Sequence, residues 1–420
     1  MILPPRKLAR SPTEPDERMS LEACRHCSQR HRDLSPTMSV NSSPTEAVTA
    51  TCVEAIAAAS PVDVMKVRNA VVAVAAGAMD AHSVRLASLV VHRVASLNEE
   101  AAALFAVECV RDALVAMSRH ASTSSAVRWV SLVLHAVTSG RSRCVKELFA
   151  NVAVRNALVN LSHKATTPSA VEAVSMALSD LTLRNAAHWK EFSSECVRDG
   201  LLSMVGSATT PRSIEVLAKV FYNCIGFSCC ETFLCVRVRD ALLTMCAAAM
   251  TAEGVWQVSN ALHIFALRPV NNLVNGRVKV KRMVTTCEVR DAVVMLASRA
   301  TTSKCAGKVA ATFEWTGTGW KGPPEMFWTP SVHDALVELA SKVTEPEDVS
   351  ACACAVALFR MKAQSELVTH VMRDAVVGLV RYATTLHSAN SIKKALIALK
   401  STYHAGSLSR VIDGELDGTR

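Results

Sequence analysis

The stretch CRHCSQRH places Cys24, Cys27 and His31 within eight residues, with His26 between them. A Cys-x-x-Cys pair can supply half of a zinc site, since two thiolates at that spacing can close on one tetrahedral ion. A closed structural site needs four ligands, and no second pair follows nearby. The expectation is therefore no metal and no other cofactor. His92, His135 and His263 share one register of a longer pattern but fall in separate segments, too far apart for one ion; they are expected to mark a half-exposed face. No Ser-His-Asp set, carboxylate pair or phosphate-binding glycine loop occurs in a convincing context, and TGTGWKG lacks both a flanking strand and phosphate-loop spacing. The residues point away from catalysis.

Two interruptions carry more information. RPVNNLVNGRVKVKRMVTTCEVR, residues 268–290, holds six basic residues and one acidic, a local charge of +5 against +9 for the whole chain. TFEWTGTGWKGPPEMFW, residues 312–328, holds five of the chain's 19 aromatic residues. Phe313 and Phe327 fall in core columns, whereas Trp315, Trp320 and Trp328 have no obvious core place. Irregular insertions on a rigid scaffold are where specificity tends to sit. A partner surface is accordingly expected to draw on Lys219, Trp256, Asn260, His263, Arg277, Lys279, Lys281, Trp315 and Trp320. A large aromatic beside mixed polar groups is the common composition of a binding hot spot.

These residues must be positioned by something regular, and V-R-D-A-L supplies it. Its Arg position recurs at Arg68, Arg111, Arg155, Arg198, Arg239, Arg290, His333 and Arg373, at spacings of 43, 44, 43, 41, 51, 43 and 40 residues. A period near 40 with helical texture is the mark of a stacked helical array. Three residues on lies an aliphatic column running from Val71 to Val376, and six on another from Val74 to Leu379; together they make one apolar helical stripe. A further helix follows, with apolar columns sixteen and twenty-three residues after the Arg. Between them Ser88, Ser131, Ser175, Ala218, Ser259, Ala310 and Ala353 form a small-residue column that lets neighbours approach closely. Thr167 and Thr210 are natural N-caps, each followed by Pro at the first helical position. Six residues before the Arg, Phe105, Phe149, Phe192, Phe233 and Phe327 mark a shorter preceding element.

In SRCVKELFANVAVRNALVNLSHKATTPSAVEAVSMALSDLT all three parts are visible, and the pattern resembles the armadillo repeat, with the two-helix HEAT repeat as the near alternative. The resemblance covers about residues 31–405 and implies an all-α, right-handed solenoid of about eight units, plus a degenerate leading unit at Arg32-Asp33-Leu34. With helices roughly 10 Å apart, the body would be on the order of 80 Å long. Residues 1–30 read as a disordered leader and 406–420 as a tail. In the last unit the small column becomes Lys393, as suits an outer face that no further unit covers. The motif's Asp or Asn suits a helix start, and its Arg is expected to pair with an acidic group on the next unit. Armadillo import adaptors carry a regular Trp and Asn array. Here the Trp position holds Leu89, Leu132, Met176, Lys219, Asn260, Ala311, Cys354 and Lys394, so that role is not implied.

No apolar run approaches the roughly 18 residues a membrane span needs. The 15 cysteines are scattered through helical patterns without disulfide-like spacing, which points to a reducing compartment: the cytoplasm first, with the nucleus or an organelle as open alternatives. The cysteine pairs Cys229–Cys230 and Cys352–Cys354 read as core packing. The sequence thus leads to a non-enzymatic scaffold that binds an extended peptide or a helix along its concave surface. The alternative is a nucleic-acid-binding solenoid using the basic insertion.

Overall fold

A computed structural model describes residues 61–77, 80–140, 142–182, 189–227, 231–267, 283–318, 320, 322–363 and 369–400. The expected N-terminal leader, the degenerate unit at 32–34 and the C-terminal tail lie outside these residues. The described fold is all-α, with no strand.

Each V-R-D-A-L match lies in a helix, which we call the second helix of its unit: Pro61–Ala75, Glu108–His120, Val152–Lys164, Glu195–Met204, Val236–Ala248, Cys287–Arg299, Pro330–Lys342 and His370–Gly378. Each is followed by a third helix: Ala81–Ala95, Ser124–Thr138, Pro168–Thr182, Pro211–Phe227, Ala252–Leu267, Ser303–Thr318, Pro346–Lys362 and Leu386–Lys400. Short first helices precede some units, at Glu99–Phe105, Arg143–Phe149, Trp189–Phe192 and Pro324–Phe327, with a 3-10 turn at Glu231–Phe233. Local chemistry sets the starts. Asp80, Asn98, Thr123, Asn151, Thr286 and Thr369 each accept a hydrogen bond from the backbone N–H three residues on, satisfying a donor the helix leaves open. The helices after Thr167 and Thr210 begin on Pro168 and Pro211.

Third helices pack on the next third helix along the chain, and second helices on the next second helix, giving two layers of sequential neighbours. The small-residue column is the seam of the third-helix layer. Ser88, Ser131, Ser175, Ala218, Ser259, Ala310 and Ala353 are all fully buried there. Lys393, at the same register in the last unit, is exposed. Among the described residues the phenylalanine column is core, with Phe105, Phe149, Phe192, Phe233 and Phe327 all fully buried, and Val284 takes its place in the sixth unit. The layer runs unbroken past the basic insertion: Ala252–Leu267 packs directly on Ser303–Thr318, and Thr312 Oγ1 donates to the Ser259 carbonyl across the 53-residue step at 3.4 Å. Among the described residues no helix is long and apolar enough to cross a membrane.

The motif arginine does something different from the expected pairing with an acidic group on the next unit. Its Nε holds the adjacent Asp or Asn of its own helix, as at Arg111–Asp112 (2.8 Å) and Arg155–Asn156 (3.1 Å). Its Nη1 then reaches the carbonyl just before the Phe column of the following unit: Arg68 to Leu104 (3.5 Å), Arg198 to Thr232 (3.2 Å), Arg239 to Met283 (3.5 Å), and Arg290 to Met326. Those carbonyls close a short helix or turn and have no further turn to bond them, so a cation satisfies both the lone pair and the local dipole. Arg155 does meet an acidic group on the next unit, Glu191 at 2.8 Å. His333 reaches Thr369 Oγ1 at 2.7 Å instead. A second ladder, nine residues further along the second helix, repeats the logic at the other end. Lys164, Arg299 and Lys342 donate to the last carbonyls of the preceding second helix, at Arg119, Cys246 and Ala297.

Candidate functional site

The third-helix layer carries the polar face on which most of the expected partner residues lie. Trp256 and His263 are seven residues apart on Ala252–Leu267, two turns along one side of that helix. The Trp256 ring is covered by Lys304 Nζ of the next third helix, 3.4 Å from its centroid, a close cation–π contact. His263 stands edge-on to Trp315 of the same neighbouring helix, with ring centroids 6.3 Å apart at 81°. Its Nδ1 is buried without a hydrogen-bond partner. Burial, with Lys308 nearby, pushes its pKa down to about 4, so the ring is neutral at ordinary pH.

The other expected residues divide. Lys219 is half-buried on the preceding third helix. Asn260 is only 5% exposed and offers a partner little surface. Trp320 donates its ring N–H to the Pro323 carbonyl at 2.9 Å and packs on Phe327 at 5.1 Å, so it roofs its own insertion. Trp328, for which the sequence suggested no core place, is fully buried between Phe327 and Phe359. Its ring fills the space a side chain at Gly317 would need, and the glycine permits that approach. Arg277, Lys279 and Lys281 lie outside the described residues. The structure therefore brings His263 and Trp315 together, with Trp256 two turns away from His263 on the same helix.

Sequence reasoning passed over the ionisable groups beside them. Lys308 sits on the groove side of Ser303–Thr318, its pKa lowered by burial and partly restored by Asp348. Asp348 accepts from Ser303 Oγ at 2.8 Å and packs where Gly307 has no side chain; burial pushes its carboxyl up, against that hydrogen bond. Glu314, six residues beyond Lys308, is pushed up by burial alone. Cys354 on the next third helix is half-buried, its thiol raised by burial, with Glu314 raising it further and Lys394 lowering it. A lone Lys or Glu in an amphipathic helix looks solvent-facing in sequence; only the packed neighbour reveals its desolvation.

Toward the N-terminal end the same register is occupied differently. His135 Nδ1 lies 2.6 Å from Asp180 Oδ2 of the next unit, while the His92 ring packs on Trp129 at 5.5 Å and its Nδ1 is buried without a partner. The histidine column thus bridges neighbouring third helices, and His92, His135 and His263 are each partly exposed, as expected for a half-exposed face.

Among the described residues no group of three or more His, Cys, Asp or Glu side chains is placed to hold a metal ion. The thiols of Cys224, Cys246 and Cys352 are pushed up to about 12 by burial, which leaves them protonated and unreactive. The Cys24, Cys27 and His31 stretch, together with Cys229 and Cys230, lies outside the described residues.

The chain matches no protein family profile and no curated protein. Among solved structures it is similar to one from work on the computational design of self-assembling cyclic protein homooligomers, at 12% identity. That match covers 81% of this chain and 96% of the other with a TM-score of 0.14, too low to carry any structural argument.

Proposed function

We propose that this protein is a right-handed, armadillo-like solenoid of about eight units with a degenerate leading one, and that it works as a non-enzymatic scaffold holding an extended peptide across its third helices. The short first helices, where they form, favour the three-helix armadillo unit over the two-helix HEAT unit. The observation that carries the binding role is the set of side chains around Trp256, His263, Lys308, Glu314 and Trp315. These are aromatic and ionisable groups half-withdrawn from water, with His263 Nδ1 left without a hydrogen bond. Half-buried charged side chains such as Lys308 and Glu314 are partly desolvated, and a ligand that pairs with them recovers part of that cost on binding. The free, largely packed cysteines agree with the cytoplasm as its compartment.

The reading is tested by selecting binders from a displayed library of random linear peptides, then measuring the selected peptides on variants. Trp256→Ala and Trp315→Ala should each weaken binding at least tenfold, the loss typical of an anchor aromatic, with folding retained by circular dichroism. Failure to recover any peptide, or peptides that bind both variants as tightly as the parent, would contradict it. Binding instead to nucleic acid, with an affinity that falls steeply with salt, would favour a role for the basic insertion.

A further inference from the structure

The last two second helices, Pro330–Lys342 and His370–Gly378, leave an open groove of about 360 Å3 between them. Its lining comes from these two helices and from the 3-10 turn Val380–Tyr382 that continues the second of them, with no third-helix residue. Val337, Ala340 and Ala375 make it apolar. One wall is a single ridge, Val371, Asp374, Gly378 and Arg381, whose spacings of three, four and three residues keep it on one helical side. Leu379 stays in the right-handed helical region (φ −74°, ψ −20°), so the ridge runs on into the 3-10 turn. All four residues are exposed, Val371 by 59%. Arg373 holds Asp374 at one oxygen, Oδ1, at 2.7 and 2.9 Å. Arg381 lies over the Tyr382 ring, 4.7 Å from its centroid, and among the described residues forms no ion pair. A Cβ at Gly378 would meet nothing within 4 Å, so the ridge is bare backbone near the midpoint between its acid and its base. Of the eight units only the second repeats that acid and base at the same spacing, as Asp112 and Arg119, and there Ala116 stands at the glycine's position.

We infer that this ridge is a self-association surface: a second copy of the chain lies antiparallel against the groove, about a two-fold axis beside Gly378, with each Asp374 meeting the other copy's Arg381. Charge complementarity selects that occupant. Under a two-fold axis, residue i faces j while j faces i. An acid and a base two turns apart, about 10 Å along a helix, therefore become each other's partners when the helix is reversed. A partner carrying one sign of charge would be attracted at one end of the ridge and repelled at the other. The glycine at the axis lets the two backbones approach closely, and closing the groove takes its apolar wall, with Val371, out of water. A single helix crossing is a small interface, so the pair should form and dissociate with concentration. The ridge shares no residue with the third-helix face, so failure of either reading leaves the other standing.

Sedimentation velocity of the full chain over a concentration series tests this. The parent should show a monomer–dimer equilibrium. Asp374→Arg sets arginine against arginine and Arg381→Asp sets aspartate against aspartate, so each alone should weaken self-association roughly tenfold or more. Mixed in equal amounts, the two variants should recover association, because every charged contact in the mixed pair is again acid to base; loss of folding in either variant would not give that recovery. Gly378→Leu has open space for its side chain in the single chain and obstructs only the crossing, so it should weaken association with the circular dichroism spectrum retained. A parent that stays monomeric at every concentration would overturn the inference. So would a dimer unmoved by the charge reversals, reversals that fail to associate when mixed, or a Gly378→Leu dimer as tight as the parent's.

Discussion

At the residue scale, His263 is the most consequential side chain the sequence pointed to, and its chemistry is set by packing. Burial against Trp315, with Lys308 nearby, drives its pKa down to about 4 from an ordinary 6.5. Between those values the unfolded chain binds the proton and the folded chain does not. Stability linked to this group is therefore full above about pH 6.5, declines as the pH falls toward 4, and is flat below that. A shift of this size corresponds to no more than about 3 kcal/mol, reduced by the ring's partial exposure. Melting curves of the parent and of His263→Asn should diverge across that window: the parent loses melting temperature as the pH falls and the variant loses less, since carboxylates elsewhere titrate alike in both. Equal slopes would mean that the ring is hydrated. Glu314 lies at the opposite extreme of legibility. Nothing in AATFEWTG distinguishes its carboxylate from any other helical glutamate, because what singles it out is burial in the packed third-helix layer.

At the element scale, the columns that make helices were readable because periodic burial needs periodic residues. The stripe, the small-residue seam, the Phe column and the Thr-Pro starts all fall where the sequence placed them. The ladders were only half readable. The motif arginine was recognisable as a contact to the next unit, but its acceptor in four units is a backbone carbonyl, which every residue has and no sequence advertises. The second ladder from Lys164, Arg299 and Lys342 was missed for the same reason: a cation in a last helical turn reads as a solvated end. Trp328 fell outside the repeat register and so looked free, yet Gly317 opens a core place for it. The Phe column offers the sharpest test at this scale. Phe192 is fully buried at the end of Trp189–Phe192, and its carbonyl lies 3.9 Å from Cys224 Sγ. Phe192→Ala should destabilise by about 3–5 kcal/mol. Backbone hydrogen exchange should quicken across 189–227 while distant units such as 330–362 keep their protection, because stacked elements couple mainly to neighbours. Unchanged exchange in the first segment would show that this column does not hold the stack.

At the scale of the whole molecule, two layers of like helices packed in sequence leave one continuous third-helix face along the chain. That face changes character along its length. Toward the N-terminal end His135 pairs with Asp180, while the His92 ring packs on Trp129 with its Nδ1 unpartnered. Around Trp256, Lys308 and Glu314 it holds groups that packing has withdrawn from water without fully satisfying. The basic insertion follows the helix that carries Trp256, and the tryptophan insertion follows the one that carries Glu314, so both irregular segments attach to this stretch of the array. The central claim is that this stretch is where a partner lies. Hydrogen exchange of the full chain with and without a saturating selected peptide tests it most directly. The account predicts slowed exchange in 252–267, 303–318 and 346–362, with the second helices 236–248 and 287–299 unchanged. Slowing confined to the second helices, or found in no third helix, would contradict it.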